Sequence, residues 1–124
     1  MLFSDKTRNV LFKVFAFFGA LAAIYHFAGL FYKFDESPAW RHVLFVVINL
    51  FVVYGVLKRP KYFVYIVAIL VIQQYYSHGT YLVNMWIEKK QIHWISVFVL
   101  VLLPIVLFCL IEDYRLIKRG PGEE

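Results

Sequence analysis

The sequence has few charged residues, few glycines and prolines, and a single cysteine. Charged residues make up 17% of its 124 positions, whereas soluble chains carry about 25%. Six glycines and four prolines are too few for a collagen-like or low-complexity chain. The single cysteine, Cys109, cannot close a disulfide within the chain, and without a Cys-x-x-Cys motif a disulfide-forming membrane oxidase is excluded.

Apolar side chains, in contrast, are abundant. Hydrophobic residues reach 62%, aromatic residues reach 20%, and the mean hydropathy is +0.69. A chain of this size folded in water cannot hide such an excess in one small core, but a lipid bilayer can cover it. We therefore predict an integral membrane protein.

The apolar residues fall into four blocks separated by short polar breaks. Each block has about 18–23 residues, and a helix needs about 20 to cross the hydrocarbon core. We predict an all-α fold, a four-helix transmembrane bundle forming one domain, with helices at about 10–32, 40–57, 62–83 and 93–111. Ser37 and Pro38 match an N-cap followed by a first helical residue, so helix 2 is expected to begin there. Pro104 is expected to kink helix 4.

The Lys and Arg residues are distributed unevenly over the predicted loops. Nine of the thirteen lie in the N-terminal segment, the second loop and the C-terminal tail. The positive-inside rule then places both termini in the cytoplasm, in what we expect to be a bacterial inner membrane. Basic clusters beside membrane helices are typical of contacts with anionic lipid headgroups, so nucleic acid is not an expected partner.

All four histidines fall in the predicted outer half of the bundle. His26 and His78 each lie about 10 Å inside the outer boundary at the helical rise, and His42 and His93 begin helices 2 and 4. Gly19, Ala22, Ala23 and Gly29 share the helical face of His26. Because small residues mark close helix contacts in membranes, we expect His26 to point into the bundle.

Other polar residues share this half of the bundle. Helix 3 carries a polar face, and Asn49 lies two turns from His42 on helix 2. Because unpaired polar groups in hydrocarbon cost several kcal/mol each, these faces must meet one another or a ligand. We predict a polar pocket between helices 1, 2 and 3, whose members are His26, Asn49, Gln73, Gln74, Ser77 and His78.

Two interpretations of this pocket remain open. Such side chains commonly form hydrogen bonds between membrane helices. Alternatively, His26, His42 and His78 are metal or haem ligands, since neutral imidazole suits Zn, Cu and Fe, and the amides and rings would suit a quinone. The loop acids Asp35, Glu36 and Glu88 are further possible ligands, although loop acids are mostly solvated. The predicted spans contain no acidic residue, which excludes a di-iron carboxylate site.

Two short segments resemble a known family. Glycine and alanine lead into Tyr25-His26-Phe27 late in helix 1, and a Lys58-Arg59-Pro60 turn joins helices 2 and 3. The chain resembles the DoxX-like small bacterial membrane proteins in these two segments, in its length and in its four predicted spans. That group includes subunits linked to quinone-dependent sulfur oxidation, so the resemblance implies a redox association.

The small predicted extramembrane mass favours a subunit or accessory protein of a larger membrane complex. The expected partners are the lipid bilayer and either another membrane protein or a second copy of this chain. They would contact the apolar side of helix 4 or the aromatic face near Phe12 and Phe15. The alternative is a redox-linked protein that binds haem, a transition metal or quinone through the outer histidines. We do not expect the chain to be an enzyme on its own.

Overall fold

A computed structural model describes residues 3–34 and 37–120 of the chain. These residues form four α-helices and no strand, so the all-α prediction is confirmed for them. The helices are α1 (Asp5–Gly29), α2 (Ala39–Lys58), α3 (Phe63–Lys89) and α4 (Trp94–Arg119).

Three of the helices, α1, α2 and α4, are long and apolar enough to cross a membrane. This composition is consistent with a membrane location. The remaining helix, α3, has 27 residues, but glutamine, histidine, serine, threonine and asparagine from Gln73 onward lower its hydropathy. A fourth span, and with it the four-helix membrane bundle, stays a prediction.

Three helices, α1, α3 and α4, extend well beyond the apolar blocks, and α4 runs to Arg119. α1 begins at Asp5 because the Ser4 side chain accepts the amide N–H of Thr7 at 3.2 Å, and the Asp5 carboxylate lies at the positive end of the helix dipole. α3 runs to Lys89, and the left-handed backbone of Lys90 (φ 51°) ends it. Apolar blocks indicate where a helix can lie in lipid, whereas capping residues determine where it ends.

The N-cap predicted at Ser37 lies one residue later, at Pro38. Pro38 occupies the N-cap position with extended backbone (φ −67°, ψ 154°), and α2 begins at Ala39. The fixed φ of proline suits both the N-cap and the first helical position, so the Ser-Pro pair alone does not distinguish them. α2 ends at Lys58, where Arg59 adopts a left-handed backbone and Pro60 follows.

The chain divides into two compact units, Met1–Pro60 and Lys61–Glu124. Each unit contains an antiparallel pair of helices, which we call hairpin 1 (α1 and α2) and hairpin 2 (α3 and α4). In each hairpin, the connection end is where the two helices are joined by a loop, and the open end is opposite.

Small residues let the helices of hairpin 1 approach closely. The buried face of α1 contains Phe12, Phe15, Ala16, Gly19 and Ala23, spaced three or four residues apart except for one adjacent pair. A Cβ atom at Gly19 would lie 2.9 Å from Val53 Cγ2 of α2. Phe12 and Phe15 are only 2% and 5% exposed, and the partner surface predicted near them stays a prediction.

A hydrogen bond between the helices of hairpin 2 compensates for Pro104. Proline has no N–H, so the carbonyl of Leu100, four residues earlier, loses its helical donor. The Tyr75 hydroxyl of α3 donates to this carbonyl at 2.5 Å. α4 continues through Pro104 as one helix over Trp94–Arg119.

We expect Tyr75→Phe to lower the free energy of unfolding by about 1 kcal/mol, because it removes the donor that Leu100 receives in place of a backbone N–H. In a Pro104→Ala background the backbone supplies that donor, so the same substitution should cost less than half as much. A double-mutant cycle in detergent measures the difference. Equal costs in both backgrounds would show that the hydroxyl does not compensate for Pro104.

Candidate functional site

Two of the four histidines meet near the connection end of hairpin 1. His26 comes from the last turn of α1 and His42 from the first turn of α2, and their Nδ1 atoms are 3.1 Å apart. His26 therefore contacts the neighbouring helix of this hairpin, and its direction into a four-helix bundle stays a prediction. Its ring also stacks on Phe45 of α2, with 5.0 Å between ring centroids and 20° between ring planes.

This contact restricts the protonation of the two rings. A hydrogen bond between two Nδ1 atoms needs one proton, so one ring donates and the other accepts through its lone pair. Two imidazolium rings would point N–H donors at each other. Two neutral rings in this geometry must therefore differ in tautomer.

Gly29 provides the space for the His42 ring. A Cβ atom at Gly29 would lie 2.7 Å from Cε1 and 2.8 Å from Nδ1 of His42. His42 is only 3% exposed, and its ring is held by the contact with His26. The ring therefore has little room to move, and position 29 requires glycine for packing.

The other two histidines meet at one serine in hairpin 2. The Ser96 hydroxyl oxygen of α4 lies 2.9 Å from His78 Nδ1 of α3 and 2.7 Å from His93 Nδ1. His93 is also the N-cap of α4, and its Nδ1 accepts the amide N–H of Ser96 at 3.3 Å. Ser96 is fully buried.

One proton arrangement satisfies all these contacts. Because His93 Nδ1 accepts the amide of Ser96, its ring proton is on Nε2. The Ser96 hydroxyl then donates to His93 Nδ1, and the same oxygen accepts a proton from His78 Nδ1. The order His78 to Ser96 to His93 links α3 to the start of α4.

The remaining residues of the predicted pocket make shorter-range contacts. The Asn49 amide donates to the Phe45 carbonyl at 2.7 Å, one turn back in α2. Gln74 Nε2 donates to Gln73 Oε1 at 2.6 Å. Ser77 is half-buried in α3. The predicted convergence of these residues with His26 and His78 stays a prediction.

Ser96 and Tyr75 make polar contacts between α3 and α4 that the sequence analysis did not predict. Serine three residues after His93 matches an N-cap contact, and Tyr75 could have been linked to Pro104 only through the pairing of the helices. The sequence therefore contained a local signal for Ser96 and none for Tyr75.

The helices continue for different lengths beyond His26 and His78, which were predicted to lie at equal depth. His26 lies three residues before the end of α1, and His78 lies eleven residues before the end of α3. The predicted depth was counted from the end of each apolar block, and α3 continues beyond the end of its block. The depth of either residue in a membrane stays a prediction.

Among the described residues, no group of three or more His, Cys, Asp or Glu side chains could hold a metal ion. His26 and His42 contact each other, whereas His78 contacts Ser96. Of the acids considered as further ligands, Asp35 and Glu36 lie outside the described residues, and Glu88 is exposed in the last turn of α3.

No protein-family model, curated protein or solved structure matches this chain. The resemblance to DoxX-like proteins therefore stays a prediction that depends on the two short segments described above.

We expect Gly29→Ala to destabilise the protein by about 1–3 kcal/mol, because the added methyl group overlaps the His42 ring. Gly79→Ala is the matched control: a Cβ atom there meets nothing within 4 Å. Since alanine favours a helix interior, this control should stabilise the protein by about 0.5–1 kcal/mol. Thermal unfolding of both variants measures the contrast. A stabilising Gly29→Ala would contradict the close contact with His42.

Proposed function

We propose that this chain is a small integral membrane protein that acts as an accessory subunit of a larger membrane complex or of a homo-oligomer. It crosses the membrane four times, with both ends in the cytoplasm. The histidine clusters serve to join helices within each hairpin, and an apolar face of α4 binds the partner.

An exposed apolar stripe on α4 carries this proposal. Phe98, Val101, Ile105 and Phe108 are all exposed and follow one another at intervals of three and four residues. This spacing places them on one side of the helix. Val106, Cys109 and Leu110 are buried and mark the packed side. The exposed stripe must be covered by lipid or by another chain.

The hydrogen bonds of the histidines support a structural role for them. His26 pairs with His42, and Ser96 lies between His78 and His93. Hydrogen bonds of this kind between membrane helices contribute about 1 kcal/mol each. Joining the two helices of a hairpin therefore accounts for these residues without a bound ligand.

A photo-crosslinking amino acid at Val101 tests the partner surface, with Val47 of α2 as the matched control. Both valines are on apolar helices, and their side chains are 61% and 60% exposed. We expect crosslinking in native membranes to give a product of higher mass from Val101 and none from Val47. The mass of the product distinguishes a second copy from a larger partner.

Light scattering of the gently purified protein provides an independent measurement. The proposal expects a protein mass above that of one chain. A single-chain mass, together with no crosslinked product from Val101, would leave the accessory role without support.

The proposed orientation depends on the distribution of Lys and Arg residues. A cysteine introduced at Glu88 should react with a membrane-impermeant maleimide from outside the cell, because Glu88 is exposed at the connection end of hairpin 2. The native Cys109 is buried and should contribute little background. Labelling only after the inner face is opened would reverse the orientation.

A second candidate function is redox-linked binding of a transition metal, haem or quinone. The separation of 3.1 Å between His26 Nδ1 and His42 Nδ1 favours the metal version. Two nitrogen ligands of one tetrahedral zinc ion lie about 3.3 Å apart, as follows from Zn–N bonds of about 2.0–2.1 Å. A metal would replace the one proton between the two Nδ1 atoms, because each ligand nitrogen must offer a free lone pair.

Metal analysis and an absorption spectrum of the purified protein test this second function. A bound metal or haem should be lost in His26→Ala and in His42→Ala and should be retained in His93→Ala, whose ring contacts Ser96 in the other hairpin. A wild-type protein that contains no iron, copper or zinc and shows no Soret band would eliminate the metal and haem versions. The quinone version requires separate lipid extraction.

A further inference from the structure

Positive charge is concentrated at the open end of hairpin 1. Lys6 and Lys13 are exposed near the start of α1, and Lys58 is exposed at the end of α2. Arg59 follows directly. At the connection end, the described basic residues of hairpin 1 are Lys33 and Arg41.

The pairing of α1 with α2 places three of these cations at one level. Gly29 lies beside His42, Gly19 beside Val53 and Phe12 beside Arg59, which defines the antiparallel register. Lys13 follows Phe12 and Lys58 precedes Arg59, so Lys13, Lys58 and Arg59 lie at the same height along the hairpin. We call these three residues the basic collar.

Arg59 is held in place by its surroundings. Its backbone is left-handed (φ 51°), and its amide N–H donates to the Gly55 carbonyl at 2.7 Å. Its guanidinium carbon lies 4.8 Å from the centre of the Phe12 ring, which is buried. A cation over an aromatic face is attracted by the ring, so the charge of Arg59 stays at the level of Phe12.

The basic collar lies at the edge of the apolar part of the hairpin. Val14 follows Lys13, Leu57 precedes Lys58, and both apolar side chains are exposed. In a membrane, this is the level at which lysine and arginine reach the headgroups while neighbouring apolar residues contact acyl chains. A ligand that carries both a phosphate and acyl chains matches this surface.

We propose that the basic collar binds the phosphate groups of anionic phospholipids. Lys13 and Lys58 are both exposed at this level, so their ammonium groups can reach the phosphate of an anionic lipid headgroup. Inorganic phosphate would supply the charge but would leave Val14 and Leu57 without apolar contacts. The inference rests on the proposed membrane location and does not depend on the accessory role.

The experiment measures the lipid that remains bound to the full-length protein after purification from mixed phosphatidylglycerol and phosphatidylcholine. We expect wild-type protein to be enriched in phosphatidylglycerol. Each lysine or arginine near a membrane surface changes the affinity for anionic lipid about fivefold. Lys13→Gln and Lys58→Gln should therefore each lower the enrichment about fivefold, and the double variant should lower it further.

The matched control is Lys33→Gln combined with Arg41→Gln, which removes two positive charges from the connection end. We expect this control to retain the enrichment. An equal loss in both double variants would show that total charge matters and the collar does not. Loss of wild-type enrichment on adding excess inorganic phosphate would assign the surface to a soluble anion. Circular dichroism verifies that each variant keeps its helices, and the single lysine variants decide the result if the double variant unfolds.

Discussion

A polar group on an apolar helix costs several kcal/mol unless it finds a partner, and the contacts within both hairpins follow from this cost. His26 of α1 meets His42 of α2, and Ser96 of α4 lies between His78 and His93. The Leu100 carbonyl loses its helical donor to Pro104 and receives the Tyr75 hydroxyl instead. Each of these contacts brings together residues at least 16 positions apart, apart from the local one between His93 and Ser96. They therefore link one helix of a hairpin to the other.

Close approach of the helices is a condition for these contacts in hairpin 1. The imidazole rings of His26 and His42 can meet only if the backbones are near, and Gly19 and Gly29 remove the side chains that would separate them. The same register brings Arg59 over Phe12 at the open end. The spacing of the glycines on α1 thus determines where His26 and His42 meet near one end of the hairpin. It also determines where Arg59 lies at the other end.

The existence of the helices could be predicted from the sequence, but their ends and their contacts could be predicted only in part. Each long apolar block predicts that a helix is present. The end of α3 at Lys89 depends instead on the left-handed backbone of Lys90, which no apolar pattern marks. The small residues on the face of His26 indicated a close helix contact there, and His26 does contact α2 through His42. The partner of each polar group could not be predicted, because contacts such as His78 with Ser96 depend on the register between helices, which one sequence does not encode locally.

The two histidine clusters differ in how easily a cation could replace their hydrogen bonds. In hairpin 2, the amide and hydroxyl of Ser96 supply a donor for His93 and an acceptor for His78, so every Nδ1 atom has a partner of the opposite kind. In hairpin 1, the two Nδ1 atoms face each other and only one proton can lie between them. A cation could replace that proton at His26 and His42, whereas at Ser96 it would have to displace a complete network. The structural role is therefore better supported at His78 and His93, and the metal alternative is concentrated on His26 and His42.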